Sequence, residues 1–130
     1  MPTDRPTVPE LVESVREFLE REVQPALEGS LAFHTRVAVN VLKIVERELA
    51  SGDGLDAAER ERLAGLLGHD AELDVLADEL IAGIREGRID SDTPGLRAHL
   101  RATVLGKLSI DNPRYRSYQR ALEQDARDRQ

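Results

Sequence analysis

Apolar residues recur at helical spacing along most of this chain, between residues that typically begin or end helices. Near the N-terminus, Thr7 and Glu10 match a capping box, and Pro9 suits the first helical turn. The apolar positions that follow lie at Leu11, Val15, Phe18, Leu19 and Val23. Because no segment shows a convincing two-residue alternation, which is typical of a strand, the pattern predicts an all-α fold.

The next helices are bounded in the same way. Pro25 ends or kinks the first helix, and the second is expected from Ser30 to about Leu49. The stretch SGDGLD is expected to form a loop. After it, Asp56 caps a short third helix that ends at Gly68.

The C-terminal half repeats these signals. A fourth helix is predicted from Asp70 to Gly87, a fifth from Thr93 and Pro94, and a last one that opens near Pro113. The signals predict a compact antiparallel bundle of about five to six helices. We expect a single helical domain over residues 1–130, with frayed tails at residues 1–6 and 123–130.

Composition excludes several kinds of function. The chain has no cysteine, so it has neither disulfides nor thiolate chemistry. Its formal charge of −7 at pH 7 opposes binding to nucleic acid. It lacks the apolar run of roughly 20 residues that crosses a bilayer, and its N-terminus lacks a signal-peptide pattern. We therefore expect a cytoplasmic protein with no membrane association.

No catalytic, cofactor or metal motif is complete. The segment GDGLDA, residues 52–57, has the spacing of a dinucleotide-binding loop, but no strand is expected before it. The chain also lacks HExxH and the carboxylate–histidine motif of di-iron bundles. We therefore predict no cofactor, no metal and no catalytic residue from motifs.

Two ionisable residues interrupt the apolar faces of the first two helices. Glu22 lies within the apolar arc of the first helix, and His34 lies within that of the second. In an antiparallel hairpin that sets Val15 opposite Val41, Glu22 and His34 come level. Because a buried ionisable group is tolerated only when it is paired, this predicts a buried polar pair. A structural role, a ligand-binding or catalytic role, and escape of one side chain to solvent all stay open.

A basic stripe on the second helix is the other main candidate site. Its members lie three or four residues apart, at Arg36, Asn40, Lys43 and Arg47. One interpretation is a solvated face paired with neighbouring acids. The other is a docking face for an acidic partner or a phosphate-bearing ligand.

Other polar positions are weaker candidates. His99 is expected in a half-buried packing position, and His69 in a solvated turn. Arg114 and Tyr115 lie at a helix start, where anions are favoured, although tyrosine packing also explains them.

Two long segments resemble the signatures of a small bacterial family. They are LAFHTRVAVNVLKIVERE, residues 31–48, and LRATVLGKLSIDNPRY, residues 100–115. The family is the domain-of-unknown-function family six-two-eight-five, and the resemblance extends from about Pro6 to Tyr118. It implies no activity and no catalytic residues. Its members are often encoded beside aminoglycoside-phosphotransferase-like and acyl-CoA-dehydrogenase genes, which implies an accessory role near such a partner.

Three functions stay open at this point. The first is a non-enzymatic accessory module that binds itself or a partner protein through an apolar patch or the basic stripe. The second is a binder of a small acidic or acyl-bearing (CoA-like) ligand between helices, with His34 or His99 inside. The third, an enzyme with Glu22 and His34 as its base, lacks an identified nucleophile or electrophile.

Overall fold

The computed structural model describes residues 4–130, which form five α-helices and no strand. The helices are α1 (Val8–Phe18), α2 (Gly29–Leu67), α3 (Leu73–Arg85), α4 (Leu96–Asp111) and α5 (Arg116–Asp128). A π-helical turn, Leu19–Val23, and a 3-10 turn, Gln24–Ala26, follow α1. The prediction of an all-α helical bundle is confirmed.

The first helix begins with the predicted capping box. The Glu10 backbone N–H donates to the Thr7 hydroxyl at 3.3 Å, and the Thr7 backbone N–H donates to the Glu10 carboxylate at 3.4 Å. Two N–H groups without partners inside the helix are thereby satisfied. Pro25 lies in the 3-10 turn, so the helical run closes at the predicted proline.

The second and third predicted helices are one continuous helix. α2 runs through SGDGLD, so the predicted loop and the predicted cap at Asp56 are wrong. A helical glycine is less favourable than alanine by about 1 kcal/mol. Packing outweighs this loss, because Leu63 is buried and the Leu55 side chain lies close against Gly106.

The later helices keep their predicted ends but begin later. Gly68 and Gly87 follow α2 and α3 with φ of 85° and 78°, left-handed values that glycine adopts without strain. Thr93 does not cap α4. Its hydroxyl accepts a hydrogen bond from the Asp90 backbone N–H at 2.9 Å, within the preceding turn. The helix starts only after Gly95.

Most of the C-terminal tail belongs to α5, which runs to Asp128, and the fraying of residues 123–130 stays a prediction. Arg101 Nη1 lies 3.0 Å from Asp125 Oδ2, which ties α5 to α4. Gln124 also donates to Asp128 at 3.0 Å within the last turns. At the other end of the chain, residues 1–3 of the predicted frayed segment lie outside the described residues.

Two compact units make up the chain, Met1–Gly52 and Asp53–Gln130. The second unit contains a core of four buried leucines, Leu63, Leu76, Leu80 and Leu96. In the described part of the first unit, Val39 is the one hydrophobic side chain that is fully buried. A compact unit need not unfold on its own, so the single domain stays a prediction.

Candidate functional site

One face of α1 is apolar and exposed. Val8, Leu11, Val15 and Phe18 recur at intervals of three and four residues, so they lie on one side of the helix. Between 51% and 61% of each residue is exposed. A stripe of this kind normally packs into a core.

The first part of α2 carries a similar face. Phe33, Val37, Val41 and Val45 recur every four residues and are 37–52% exposed, and Leu49 continues the row at 44%. We call these two faces the N-terminal apolar surface. It comprises Val8, Leu11, Val15, Phe18, Phe33, Val37, Val41, Val45 and Leu49.

Charged side chains link α1 to α2. Arg16 Nε lies 2.7 Å from Glu46 Oε1, and Arg16 Nη1 lies 3.1 Å from Glu20 Oε1. Lys43 Nζ in turn lies 2.8 Å from Glu20 Oε2. The hydrogen bond to Glu46 raises the pKa of Arg16, and the hydrogen bond from Lys43 lowers the pKa of Glu20. We call these four residues the interhelical charge network.

The charge network sets a register that differs from the predicted one. The predicted register placed Arg16 opposite Asn40, whereas Arg16 contacts Glu46, roughly one and a half turns further along α2. The spacing of Arg16 and Glu20 is a local signal for an ion pair between α1 and the π-helical turn that follows it. Glu46 lies thirty residues away in the chain, so no local pattern indicates its contact with Arg16.

The structure corrects the predicted buried pair of Glu22 and His34. Both residues are exposed, and among the described residues no hydrogen bond or ion pair joins them. The reason is that the apolar faces on which they lie are not covered. Periodicity shows which side of a helix is apolar, but it does not show whether another element packs on that side.

His34 and Arg36 instead flank the ring of Phe33. The Phe33 and His34 rings meet edge to face, with centroids 5.6 Å apart and planes at 67°. The Arg36 guanidinium carbon lies 5.6 Å from the Phe33 centroid. We call these three residues the Phe33 cluster, and it places a cation at the edge of the N-terminal apolar surface.

The predicted basic stripe is divided between these features. Lys43 belongs to the charge network, as the interpretation of a face paired with acids predicts. Arg36 belongs to the Phe33 cluster, Asn40 is exposed and Arg47 is half-buried. The four residues therefore do not form one uniform docking face.

In the second unit, His99 is fully buried rather than half-buried, with 4% exposed. Arg62 donates to His99 Nδ1 at 3.3 Å and to the Thr103 hydroxyl at 3.3 Å. Because Nδ1 accepts, the ring proton lies on Nε2. Burial, and then the charge of Arg62, lower the pKa of His99, and Glu59 opposes them. The arrangement is that of a packed neutral histidine.

The remaining sequence candidates lie at the surface. His69 Nε2 lies 2.5 Å from Glu79 Oε2, and this hydrogen bond raises the pKa of His69. Arg114 and Tyr115 are exposed just before α5.

A concavity of about 530 Å³ in the second unit is lined in part by Arg60, Asp70 and Leu73. Arg60 Nε already lies 3.1 Å from Asp70 Oδ1, and neither His34 nor His99 lines the concavity. It therefore does not match the predicted site for an acidic ligand. Among residues 4–130, no group of His, Cys, Asp and Glu could hold a metal ion. That part of the chain also has no helix with the length and apolar character to span a membrane.

A family model described as "Domain of unknown function (DUF6285)" matches residues 25–115, which is well over half of the chain. The chain belongs to this family. The match contains both signature segments, residues 31–48 and 100–115, although it is shorter than the predicted range from Pro6 to Tyr118. No curated protein and no solved structure matches the chain.

The DUF6285 match contains only part of the N-terminal apolar surface. The face on α2, from Phe33 to Leu49, and the Phe33 cluster lie within it. The face on α1 does not, since that helix ends at Phe18, before the match begins. The DUF6285 family carries no assigned activity, so function has to be argued from the surfaces described above.

Proposed function

We propose that this DUF6285 protein is an accessory module, not an enzyme, and that it binds another protein through the N-terminal apolar surface. One observation carries the proposal. All nine residues of that surface are at least 37% exposed, while Val39 is the fully buried hydrophobic residue in the described part of the same unit. Monomeric proteins rarely expose contiguous apolar patches larger than a few hundred Å².

Covering this surface is energetically favourable. Full burial of one such side chain stabilises by about 1.5–3 kcal/mol, so covering the exposed half of nine of them contributes on the order of 10 kcal/mol. Association costs roughly 4–15 kcal/mol in lost motion. Because the two terms are comparable, the affinity depends on well-placed anchors. The Phe33 cluster supplies an aromatic ring and an arginine of the kind that often anchors interfaces.

The family resemblance supplies candidate partners. These are the aminoglycoside-phosphotransferase-like protein and the acyl-CoA dehydrogenase encoded near family members. Neither a catalytic motif in the sequence nor a convergent cluster of reactive side chains in the described residues supports a reaction by this chain itself. An accessory role beside such an enzyme therefore accounts for the most observations.

The test measures how tightly each purified candidate partner binds two variants, each changed at a valine of similar exposure. Val41 on α2 and Val104 on α4 are 51% and 55% exposed, but only Val41 belongs to the N-terminal apolar surface. We expect Val41→Gln to weaken the complex about tenfold, since it removes roughly half a buried valine and adds a polar group to the interface. Val104→Gln should leave the affinity within a factor of about two.

Two results contradict the proposal. One is that the wild-type protein binds neither a copy of itself nor either candidate partner in sedimentation or light-scattering measurements. The other is that Val41→Gln and Val104→Gln weaken the complex equally, because binding would then not depend on this surface.

A further inference from the structure

We infer that the protein bound at the N-terminal apolar surface is a second copy of this chain. The inference rests on the proposed function, because it takes the same surface and names its occupant. Three features of the first unit support it: the extent of the surface, the separation of charge between α1 and α2, and the ionisable groups at the edge of each face.

The extent of the surface suits a dimer. Nine large apolar residues, each about half exposed, present on the order of 700 Å² if a fully exposed one presents roughly 160 Å². A stable interface takes about 800 Å² from each partner, including its polar rim. The apolar surface is therefore sufficient for most of one side of an interface.

The first unit has an acidic segment and a slightly basic segment, so two copies of it carry complementary charges. Residues 4–28 contain seven Asp or Glu and three Arg, whereas residues 29–52 contain two Glu and three Lys or Arg. The first segment thus has a net charge of −4 and the second of +1, even though Lys43 and Glu20 already pair within one copy. A two-fold interface in which α1 of one copy meets α2 of the other sets these opposite net charges against each other twice. A copy of the chain is a partner with the required charges on the required helices.

An acidic concavity lies beside Phe18 at the end of α1. It is about 470 Å³ in volume and is lined by four glutamates, Phe18, Ser14 and Arg21. Arg21 Nη2 lies 3.7 Å from Glu17, whereas Glu22 has no ion pair among the described residues. Glu22 follows Phe18 by four residues and so adjoins the apolar face of α1.

The Phe33 cluster has the opposite charge. Arg36 is exposed, its guanidinium lies over Phe33, and no carboxylate pairs with it among the described residues. Both Glu22 and Arg36 lie near the turn at Leu27 and Glu28. When two copies associate with these turns at the same end, Glu22 of one copy comes level with Arg36 of the other. We therefore place Arg36 of one copy against Glu22 of the other.

The first experiment measures molar mass over a concentration series. Wild-type protein should approach twice the chain mass of 14.5 kDa. Val15→Gln and Val41→Gln should shift the equilibrium towards monomer, and Val104→Gln should not. A wild-type protein that stays monomeric at every concentration overturns the inference, and so do equal effects of Val41→Gln and Val104→Gln.

The second experiment mixes two charge-reversed variants. Glu22→Arg alone sets arginine against arginine at both contacts, and Arg36→Glu alone sets glutamate against glutamate. Each variant should dimerise roughly a hundredfold more weakly than wild type. Their mixture restores an opposite pair at both contacts, so it should form a heterodimer with nearly wild-type affinity, and circular dichroism of each variant should match wild type.

The outcomes separate this inference from the proposed function. If the mixed variants stay monomeric, or if the single variants dimerise like wild type, the inference is wrong. If wild-type protein is monomeric alone but binds a neighbouring gene product in a manner that Val41→Gln weakens, the proposed function holds and only the second copy is excluded. If the wild-type protein binds neither a second copy nor either candidate partner, both this inference and the proposed function are wrong.

Discussion

His99 is the one ionisable side chain that is fully buried among the described residues, and this burial, followed by the charge of Arg62, lowers its pKa. An imidazolium there would stand beside a guanidinium in a poorly hydrated position, so the neutral ring is favoured. The same contact joins α2 to α4, since Arg62 also donates to Thr103. A single buried residue thus couples the packing of two helices to pH.

The stability that the neutral His99 contributes should therefore be lost as pH falls. The folded pKa of His99 is lowered below the ordinary 6.5, so the unfolded chain binds the proton more readily and stability is lost as pH drops below that value. His69 acts oppositely, because Glu79 raises its pKa above 6.5 and its stabilisation is lost as pH rises. The variant His69→Gln removes the opposing contribution of His69, so its free energy of unfolding, measured with urea, should fall between pH 8 and pH 5.5. The double variant His69→Gln/His99→Gln should not show this fall. Equal slopes in the two proteins would contradict this assignment.

Arg16 on α1 should contribute more to stability than Arg21 in the π-helical turn that follows α1. Its side chain is 16% exposed and bonds to both Glu46 and Glu20, whereas the Arg21 side chain is 71% exposed beside Glu17. We expect Arg16→Met to lower the free energy of unfolding by about 1–2 kcal/mol. Arg21→Met should change it by less than about 0.5 kcal/mol. The comparison requires urea titrations at one protein concentration, and equal losses would show that the network is not interhelical in solution.

At the scale of elements, α2 is the most informative, because it contains the first of the two family signature segments and continues where the sequence indicates a loop. Local propensity at Gly52 and Gly54 favours a break. The helix continues because the side chains beyond the glycines, including Leu63, are held by packing within the second unit. Tertiary contacts here outweigh a local preference of roughly 1 kcal/mol per glycine.

The continuity of α2 can be tested at Gly54. No atom lies within 4 Å of a methyl group added there, so Gly54→Ala should stabilise the protein by about 0.5–1 kcal/mol if the residue is helical. Gly68→Ala is the control, since φ of 85° strains any other residue and should destabilise by roughly 1 kcal/mol. Thermal unfolding of both variants decides the point. No gain from Gly54→Ala would indicate that the helix is interrupted there.

The sequence predicted the ends of helices well where the residues that determine them lie within one turn. The Thr7 capping box and the terminal Gly68 and Gly87 follow from the chemistry of one turn, and all three stand as predicted. The sequence did not predict contacts between residues that are far apart in the chain. The register of α1 on α2 depends on Arg16 and Glu46, and neither residue carries a local signal for the other.

The candidate site was predictable only in part. The sequence identified the apolar faces, and it singled out His34 and Arg36 on α2. It could not show that these faces are uncovered, because an apolar stripe has the same periodicity whether it lies in a core or at a surface. Glu22 and His34 therefore appear as a buried pair in the pattern and as exposed edge residues in the structure.

At the scale of the whole molecule, the two units differ in how they keep apolar side chains from water. The second unit buries a cluster of leucines between its own helices. The first unit buries Val39 and exposes the N-terminal apolar surface. The second unit therefore uses its apolar side chains for folding, and we propose that the first unit uses its own for binding.

Radical footprinting of the two phenylalanines tests this account most directly. Phe18 and Phe33 are 55% and 52% exposed on the N-terminal apolar surface, and Tyr115, at 49%, lies outside it. As the concentration of the wild-type protein rises and copies associate, labelling of Phe18 and Phe33 should fall while labelling of Tyr115 stays constant. Constant labelling of the phenylalanines, or an equal fall at Tyr115, would contradict the claim that this surface is the interface.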